Sequence, residues 1–136
     1  MIKNFVVSGN DFISAGEAST KIKQLLRQIG IDLTIIKRIA ISVYEAEMNV
    51  VIHADNGEIK LEVFDDKIVI FVNDEGPGIK DINLAMQEGY TTATEEARKQ
   101  GFGAGMGLPN IKRSTDEFEI ISKIGIGTRL KMVFYL

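Results

Sequence analysis

The stretch that most limits what this chain can fold into is the apolar run Ile68-Val69-Ile70-Phe71-Val72, which leads into Asp74-Glu75-Gly76-Pro77-Gly78. A short run rich in β-branched and aromatic residues, bounded by turn formers, reads as a buried strand. Glycine is needed where backbone takes φ > 0 or approaches a ligand closely. A second glycine-rich stretch, Gly101-Phe102-Gly103-Ala104-Gly105-Met106-Gly107, closes a polar segment and opens a short helix. One carboxylate, Asp74, beside tight glycine turns suits a purine ring, whose exocyclic amine wants an acceptor. Glycine-rich backbone ahead of a helix N-terminus suits phosphates, because free N–H groups and the helix dipole both favour anions. The two stretches read as the two ends of a bound nucleotide.

The rest of the chain supplies a scaffold for these corners. Residues 2–7 read as a strand ended by Ser8-Gly9-Asn10. A helix follows, capped by Asp11 or Ser14, with Ala15, Ala18, Ile22, Leu25, Leu26 and Ile29 at helical spacing and Gly30 at its end. A second helix runs from about Asp32 to about Ala54, burying Ile35, Ile36, Ile39, Ala40, Val43 and Val50. The alternating run at 59–64 and the run at 68–72 flank Asp65-Asp66 and form a β-hairpin. A short helix is expected over 81–87, and residues 89–100 lose periodicity. After Gly107 comes a helix of about two turns with Pro109 near its start, where a missing N–H costs nothing. Strands at 118–123 and 128–135, joined through Gly125-Ile126-Gly127, end the chain.

Composition narrows the class. At 136 residues the simplest organisation is one domain, 1–136, able to bury a core without staples. With no cysteine there are no disulfides or thiolate metal sites. A net charge of -3 argues against nucleic-acid or anionic-membrane binding. No apolar run approaches the ~20 residues of a membrane span, and Met1-Ile2-Lys3-Asn4-Phe5 lacks the layout of a signal peptide. A cytoplasmic globular domain is expected.

Chemistry concentrates on the second helix. Glu45 and Asn49 stand at i and i+4, one turn apart on one face. Ser42 precedes Glu45 by one turn, His53 follows Asn49 by one turn, and Glu47 lies off to the side. A carboxylate and an amide set side by side in an apolar helix are expensive to bury without partners. An asparagine oxygen suits Mg²⁺, which keeps several waters and bridges phosphate oxygens. A glutamate suits a base or water-orienting group near a transferred phosphate. The pair alone reads first as an ordinary polar helix face, and the two glycine stretches reverse that reading.

Other motifs fail or stay ordinary. Gly103-x-Gly105-x-Gly107 does not directly follow a strand, so it is no dinucleotide fingerprint, and no Gly-Lys-Ser/Thr exists for a P-loop. The lone His53 reads as structural, Thr91, Thr92 and Thr94 as soluble loop, and the methionines as core filler, although Met48 and Met106 flank the site. Arg98 and Lys99 either meet a terminal phosphate or form a solvated face.

In order, Glu45-x-x-x-Asn49, Asp74-x-Gly76-x-Gly78, Gly103-x-Gly105-x-Gly107 and Gly125-x-Gly127-Thr128 resemble the nucleotide-binding boxes of the GHKL ATPases, the gyrase, histidine-kinase and MutL superfamily. Gly105-Met106-Gly107-Leu108-Pro109-Asn110-Ile111-Lys112-Arg113, with Asp116-Glu117-Phe118-Glu119-Ile120 after it, is similar to the RsbT-type switch kinases among the bacterial anti-sigma factor serine/threonine kinases.

The resemblance covers the whole chain and implies an α/β, two-layer Bergerat-type sandwich: a mixed, mainly antiparallel sheet with helices on one face, and an ATP lid at about 88–106. It implies ATP and Mg²⁺ as cofactors. Glu45 matches the catalytic base, Asn49 the magnesium ligand and Asp74 the adenine reader, with Gly76 and Gly78 turning beside the base. Gly103, Gly105, Met106, Gly107 and Leu108 match the triphosphate-binding segment, and the Thr128 hydroxyl the support of Asp74. Some relatives place an arginine for the γ-phosphate where this chain has Gly103, and Arg98 or Lys99 would have to substitute. Histidine-kinase ATPase domains follow a helical pair that carries a phosphorylatable histidine, which is not expected ahead of Met1.

The activity implied is phosphorylation of a serine or threonine on a STAS-domain antagonist. The alternatives are nucleotide-dependent sequestration of a sigma factor and a non-catalytic nucleotide-responsive module. A sigma factor, a downstream phosphatase and a second copy in a homodimer stand as further partners.

Overall fold

The computed structural model describes residues 1–87 and 107–136. The expected lid at 88–106, with Arg98, Lys99, Gly103, Gly105 and Met106, lies outside the described residues. The elements run β1 (Ile2–Ser8), α1 (Glu17–Gln28), α2 (Leu33–His53), β2 (Asn56–Val63), β3 (Lys67–Glu75), α3 (Ile82–Ala85), α4 (Gly107–Ser114), β4 (Glu117–Lys123) and β5 (Gly127–Tyr135).

The strands form one sheet in the order β1-β2-β3-β5-β4. The resemblance implied a mixed, mainly antiparallel sheet, and every pairing of the described strands is antiparallel. Register follows from the period of two in the sequence, because a slip of one residue would turn every apolar side chain to the wrong face. Ile59 faces Val72 and Val72 faces Leu130, while Leu61, Ile70 and Met132 make the next rung. Ile68 and Phe134 pair below them. All of these are buried, and the helices cover them with Ile22 and Leu26 of α1, Ile36, Ile39, Val43, Ala46 and Val50 of α2, and Ile111 of α4. Helix α2 packs against both α1 and α4. The alternate residues face away from the helices, where Phe71 lies under the cations of Arg129 and Lys131 at 5.3 and 6.0 Å.

The expected hairpin forms around Asp65-Asp66, closed by Phe64 N–H donating to Lys67 O at 2.9 Å. Helix α2 starts where expected, with Asp32 as N-cap accepting from Thr34 N at 2.7 Å. Helix α1 ends in a Schellman turn, Ile31 N donating to Leu26 O and Gly30 N to Arg27 O.

The start of α1 differs from expectation. Asp11 does accept from Ser14 N, but that bond closes a turn ahead of the helix, which begins at Glu17 after Gly16. No local side chain caps it. The cap comes from α2: the Glu47 carboxylate accepts from Gly16 N at 2.9 Å and Ala18 N at 3.3 Å through Oε2, and from Ser19 N at 3.0 Å through Oε1. Glu47 is 2% exposed. A buried carboxylate is tolerated when its lone pairs are filled, and the positive end of a helix is a favourable place for it.

Glu47→Gln puts an NH₂ against at least one N–H donor in a buried site, so it removes charge-assisted bonds that are individually worth about 1.5–3 kcal/mol. We expect a loss of about 3 kcal/mol, read by differential scanning calorimetry as a Tm lower by roughly 10 °C. A Tm shift under about 2 °C would mean that the clamp contributes little to stability.

Candidate functional site

Two polar corners lie at successive levels of α2. At the first, Glu45 and Asn49 share one helix face and are each half-buried. The start of α4 comes up against both: a Cβ added to Gly107 would stand 3.3 Å from Glu45 Oε2 and 3.3 Å from Asn49 Oδ1. Glycine is what allows this approach, since a side chain there would press on both polar groups. Leu108, Pro109 and Ile111 of α4 are buried, so the helix is seated on the core rather than lying loosely above the site. Asn110, three residues after Gly107, donates from Nδ2 to Glu45 Oε1 at 3.2 Å. Arg38 of α2 fixes the far end of α4, donating from Nε to Ser114 O at 3.0 Å and pairing with Asp116 at 2.9 Å.

The second corner closes the other end. Asp74, half-buried at the end of β3, accepts from Thr128 N through Oδ1 at 3.0 Å. Among the described residues no donor falls on its second oxygen. The sequence reading gave the support of Asp74 to the Thr128 hydroxyl. The structure gives it to the backbone N–H, while the hydroxyl pairs with Ser122 Oγ at 2.8 Å. Ser122 Oγ also accepts from Ile79 N at 2.7 Å, which ties the turn after β3 to the β4–β5 hairpin. Further ties are Gly76 N to Ile126 O at 3.1 Å and Gly125 N to Pro77 O at 2.9 Å. Position 127 tolerates no side chain, because a Cβ there would lie 2.0 Å from Asp74 O. Gly76 rests on Ala54, with 3.0 Å from its added Cβ to Ala54 Cα.

Ala54, the C-cap of α2, follows Asn49 by five positions, a rise of about 7–8 Å at 1.5 Å per residue. The Glu45–Asn49 corner and the Asp74–Gly78 corner therefore sit at different levels along one rigid element. His53 sits at the C-terminal end of α2 and Met48 belongs to the core. Glu47, expected off to the side, serves α1 instead. The sequence reading missed Asn110 and Ser122. The i, i+3 spacing from Gly107 to Asn110 carried the signal for the first, since such residues share a helix face. Nothing local carried it for Ser122, whose partners come from the turn before α3 and from β5.

Among the described residues, no group of three His, Asp or Glu could hold a metal ion. A neutral asparagine oxygen beside one carboxylate is instead the donor set of Mg²⁺ bound together with phosphates and waters, and the residues present fit that ion.

The antiparallel sheet, the helices on one face and the two corners define a GHKL-class α/β sandwich. Residues 11–134 match the family described as Histidine kinase-like ATPase domain, and the chain belongs to that family. It is 30% identical over 118 residues to the serine/threonine-protein kinase RsbT of Bacillus subtilis, covering 84% of this chain and 83% of that one. It is 36% identical over 124 residues to the anti-sigma F factor of Caldanaerobacter subterraneus, covering 88% and 83%. Among solved structures it resembles the RsbU and RsbW domains of a Mycobacterium tuberculosis protein, with a TM-score of 0.62 at 16% identity over 97% of this chain and 32% of that one. It also resembles the mycobacterial sensor histidine kinase MprB, with a TM-score of 0.57 at 12% identity over 99% and 97%. These structures share the fold.

Burial raises the Asp74 pKa, and the bond from Thr128 N lowers it by less. A carboxyl whose pKa is higher in the fold than in the unfolded chain stabilises when protonated, and that contribution is lost as pH rises through the folded value. At pH 7 the ionised Asp74 is therefore a cost to the free protein. We expect Asp74→Asn, which keeps an oxygen for Thr128 N, to equal or exceed the parent in Tm at pH 7, with the advantage vanishing below about pH 4. A clear loss of Tm at pH 7 in thermal melts would show that the charge supports the fold.

Proposed function

We propose that this chain is a magnesium- and ATP-dependent protein kinase that phosphorylates a serine or threonine on a STAS-domain partner. The observation that carries the reading is the Glu45–Asn49 pair, held one turn apart on α2 and set against the first turn of α4 by Gly107. A base and a neutral metal ligand side by side at a phosphate-binding turn are what phosphoryl transfer asks for, and a module that only bound nucleotide would have no need of the base. The likeness to a protein named as a serine/threonine kinase supports it.

In this reading Asp74 accepts the adenine amine through its second oxygen, Gly76 and Gly78 turn beside the ring, and Asn49 holds Mg²⁺. Held there by Asn49, Mg²⁺ would supply charge neutralisation for the phosphates. Gly107 and Leu108 open the helix whose N-terminus faces the phosphates, with Gly103, Gly105 and Met106 assigned to the same task by the resemblance. Glu45 takes the proton of the partner's hydroxyl as that oxygen bonds to the γ-phosphorus and the bond to ADP breaks. Most of the acceleration comes from positioning and charge neutralisation, since a loose transition state asks little of a base. No described helix is long and apolar enough to cross a membrane, and the proposed setting is the cytoplasm.

A second reading is nucleotide-dependent capture of a sigma factor, favoured by the likeness to proteins named anti-sigma F factor. Mass spectrometry of the STAS partner after incubation with this protein and Mg-ATP separates the two. A stable phosphoserine or phosphothreonine is expected, formed more slowly by Glu45→Gln, with about 10²–10⁴-fold as the upper limit set by a full general-base contribution. A partner left unmodified while a sigma factor is bound stoichiometrically would favour capture.

Calorimetric titration tests the nucleotide contacts. Asp74→Asn should weaken ATP binding by roughly 10- to 150-fold, the equivalent of one charge-assisted bond. Asn49→Ala should remove the magnesium dependence of binding, and Glu45→Gln should leave affinity nearly intact. Equal damage from the last two would mean that their roles are assigned wrongly.

A further inference from the structure

Asn110 has no place in the roles assigned so far, yet it hydrogen-bonds Glu45 directly. Its Nδ2 donates to Glu45 Oε1 at 3.2 Å, and its Oδ1 accepts from Arg113, one turn further along α4. The orientation of this amide is fixed by chemistry. A guanidinium can only donate and an ionised carboxylate can only accept, so Oδ1 must face Arg113 and Nδ2 must face Glu45. Both ends of α4 are held, the first turn against Glu45 and Asn49 at Gly107 and the last by Arg38 through Ser114 O. The amide therefore projects from a fixed helix, not from a loop. Its bond leaves Glu45 Oε2 as the oxygen on the Gly107 side, turned towards the phosphate-binding turn.

We propose that Asn110 is a positioning residue for the kinase reaction: fixed by Arg113, it holds Glu45 by Oε1 so that Oε2 meets the incoming hydroxyl. This rests on the kinase reading above. A carboxylate on a side chain with three rotatable bonds would sample several rotamers, only some of which point at the reacting oxygen. Anchoring one oxygen removes that freedom before substrate arrives. The chain Arg113 to Asn110 to Glu45 also ends in a cation, which strengthens donation by the amide.

The test uses the full chain with Mg-ATP and its STAS partner. Asn110→Ala should lower kcat about 10-fold, the loss of one bond to a charged group, with ATP affinity within about twofold of the parent. In a Glu45→Gln background the same change should cost no more than about twofold, because there is no base left to aim. Arg113→Ala should fall between parent and Asn110→Ala. Equal losses from Asn110→Ala in both backgrounds, or a loss confined to ATP affinity, would overturn the proposal and leave Asn110 a structural residue.

A readout independent of activity separates this idea from the kinase reading. In the amide proton–nitrogen NMR spectrum the Asn110 side-chain resonances should lie away from the free-amide position and move on both Glu45→Gln and Arg113→Ala. Free-amide positions in the parent protein would overturn the positioning role whether or not a kinase is found. An inactive parent with the resonances shifted would instead sink the kinase reading and, with it, any reaction for Asn110 to serve.

Discussion

A single buried carboxylate organises the helical layer. Glu47 takes three backbone N–H groups from the first turn of α1, where a local serine, threonine or aspartate would ordinarily sit. The consequence reaches the site through geometry. Glu45 and Asn49 lie two residues to either side of Glu47 on α2, so the element that carries the proposed chemistry cannot rotate about its axis without breaking the clamp. Rotation would also withdraw Val43, Ala46 and Val50 from the core. The register of α2 is thus set by a polar contact on one side and by apolar packing on the other. The same helix is fixed at a third point by Arg38, which reaches the C-terminal end of α4 and lies over the Phe134 ring at 5.9 Å.

The two corners depend on backbone proximity more than on side-chain reach. At Gly107 and Gly127 the missing side chain lets α4 and β5 come within contact of Glu45, Asn49 and Asp74. Close approach has a second effect at Asp74: it desolvates the carboxylate, which burial then holds at a raised pKa. A strongly solvated carboxylate would be a poorer partner for a neutral amine, since water would compete for the same lone pairs. On the proposed reading, the position gives up some stability of the free protein for a drier acceptor.

Periodicity made most of the scaffold legible. The alternation of Ile59, Leu61, Ile68, Ile70 and Val72 announced the hairpin and its buried face, and Glu45 and Asn49 were visible as an i, i+4 pair on one face of a helix. What stayed hidden were contacts between parts of the chain far apart in sequence. No local pattern ties Glu47 to Gly16, and helix-start signals pointed to Asp11 and Ser14, whereas Asp11 closes a preceding turn by accepting from Ser14 N. The same blindness misassigned Thr128: its hydroxyl was an obvious candidate, but its N–H is the atom that the β3–β5 register brings to Asp74. Ser122 escaped because a serine in a strand announces nothing until its neighbours on the hairpin are known.

The strand order also dictates when a site can exist during folding. Hairpins β2–β3 and β4–β5 join neighbours in sequence and need little chain closure, whereas the seam between β3 and β5 brings together residues such as Asp74 and Thr128, which are 54 positions apart. Long-range strand pairing forms slowly because closure entropy is lost before contacts repay it. The Asp74 corner lies on that seam, as do its ties through Ser122 and Ile126. A chain with both hairpins formed but unjoined has every residue of the Asp74 corner and no corner. Nucleotide, on the proposed reading, would then select the fully zipped sheet over every earlier species, acting as a ligand for topology as well as for a pocket.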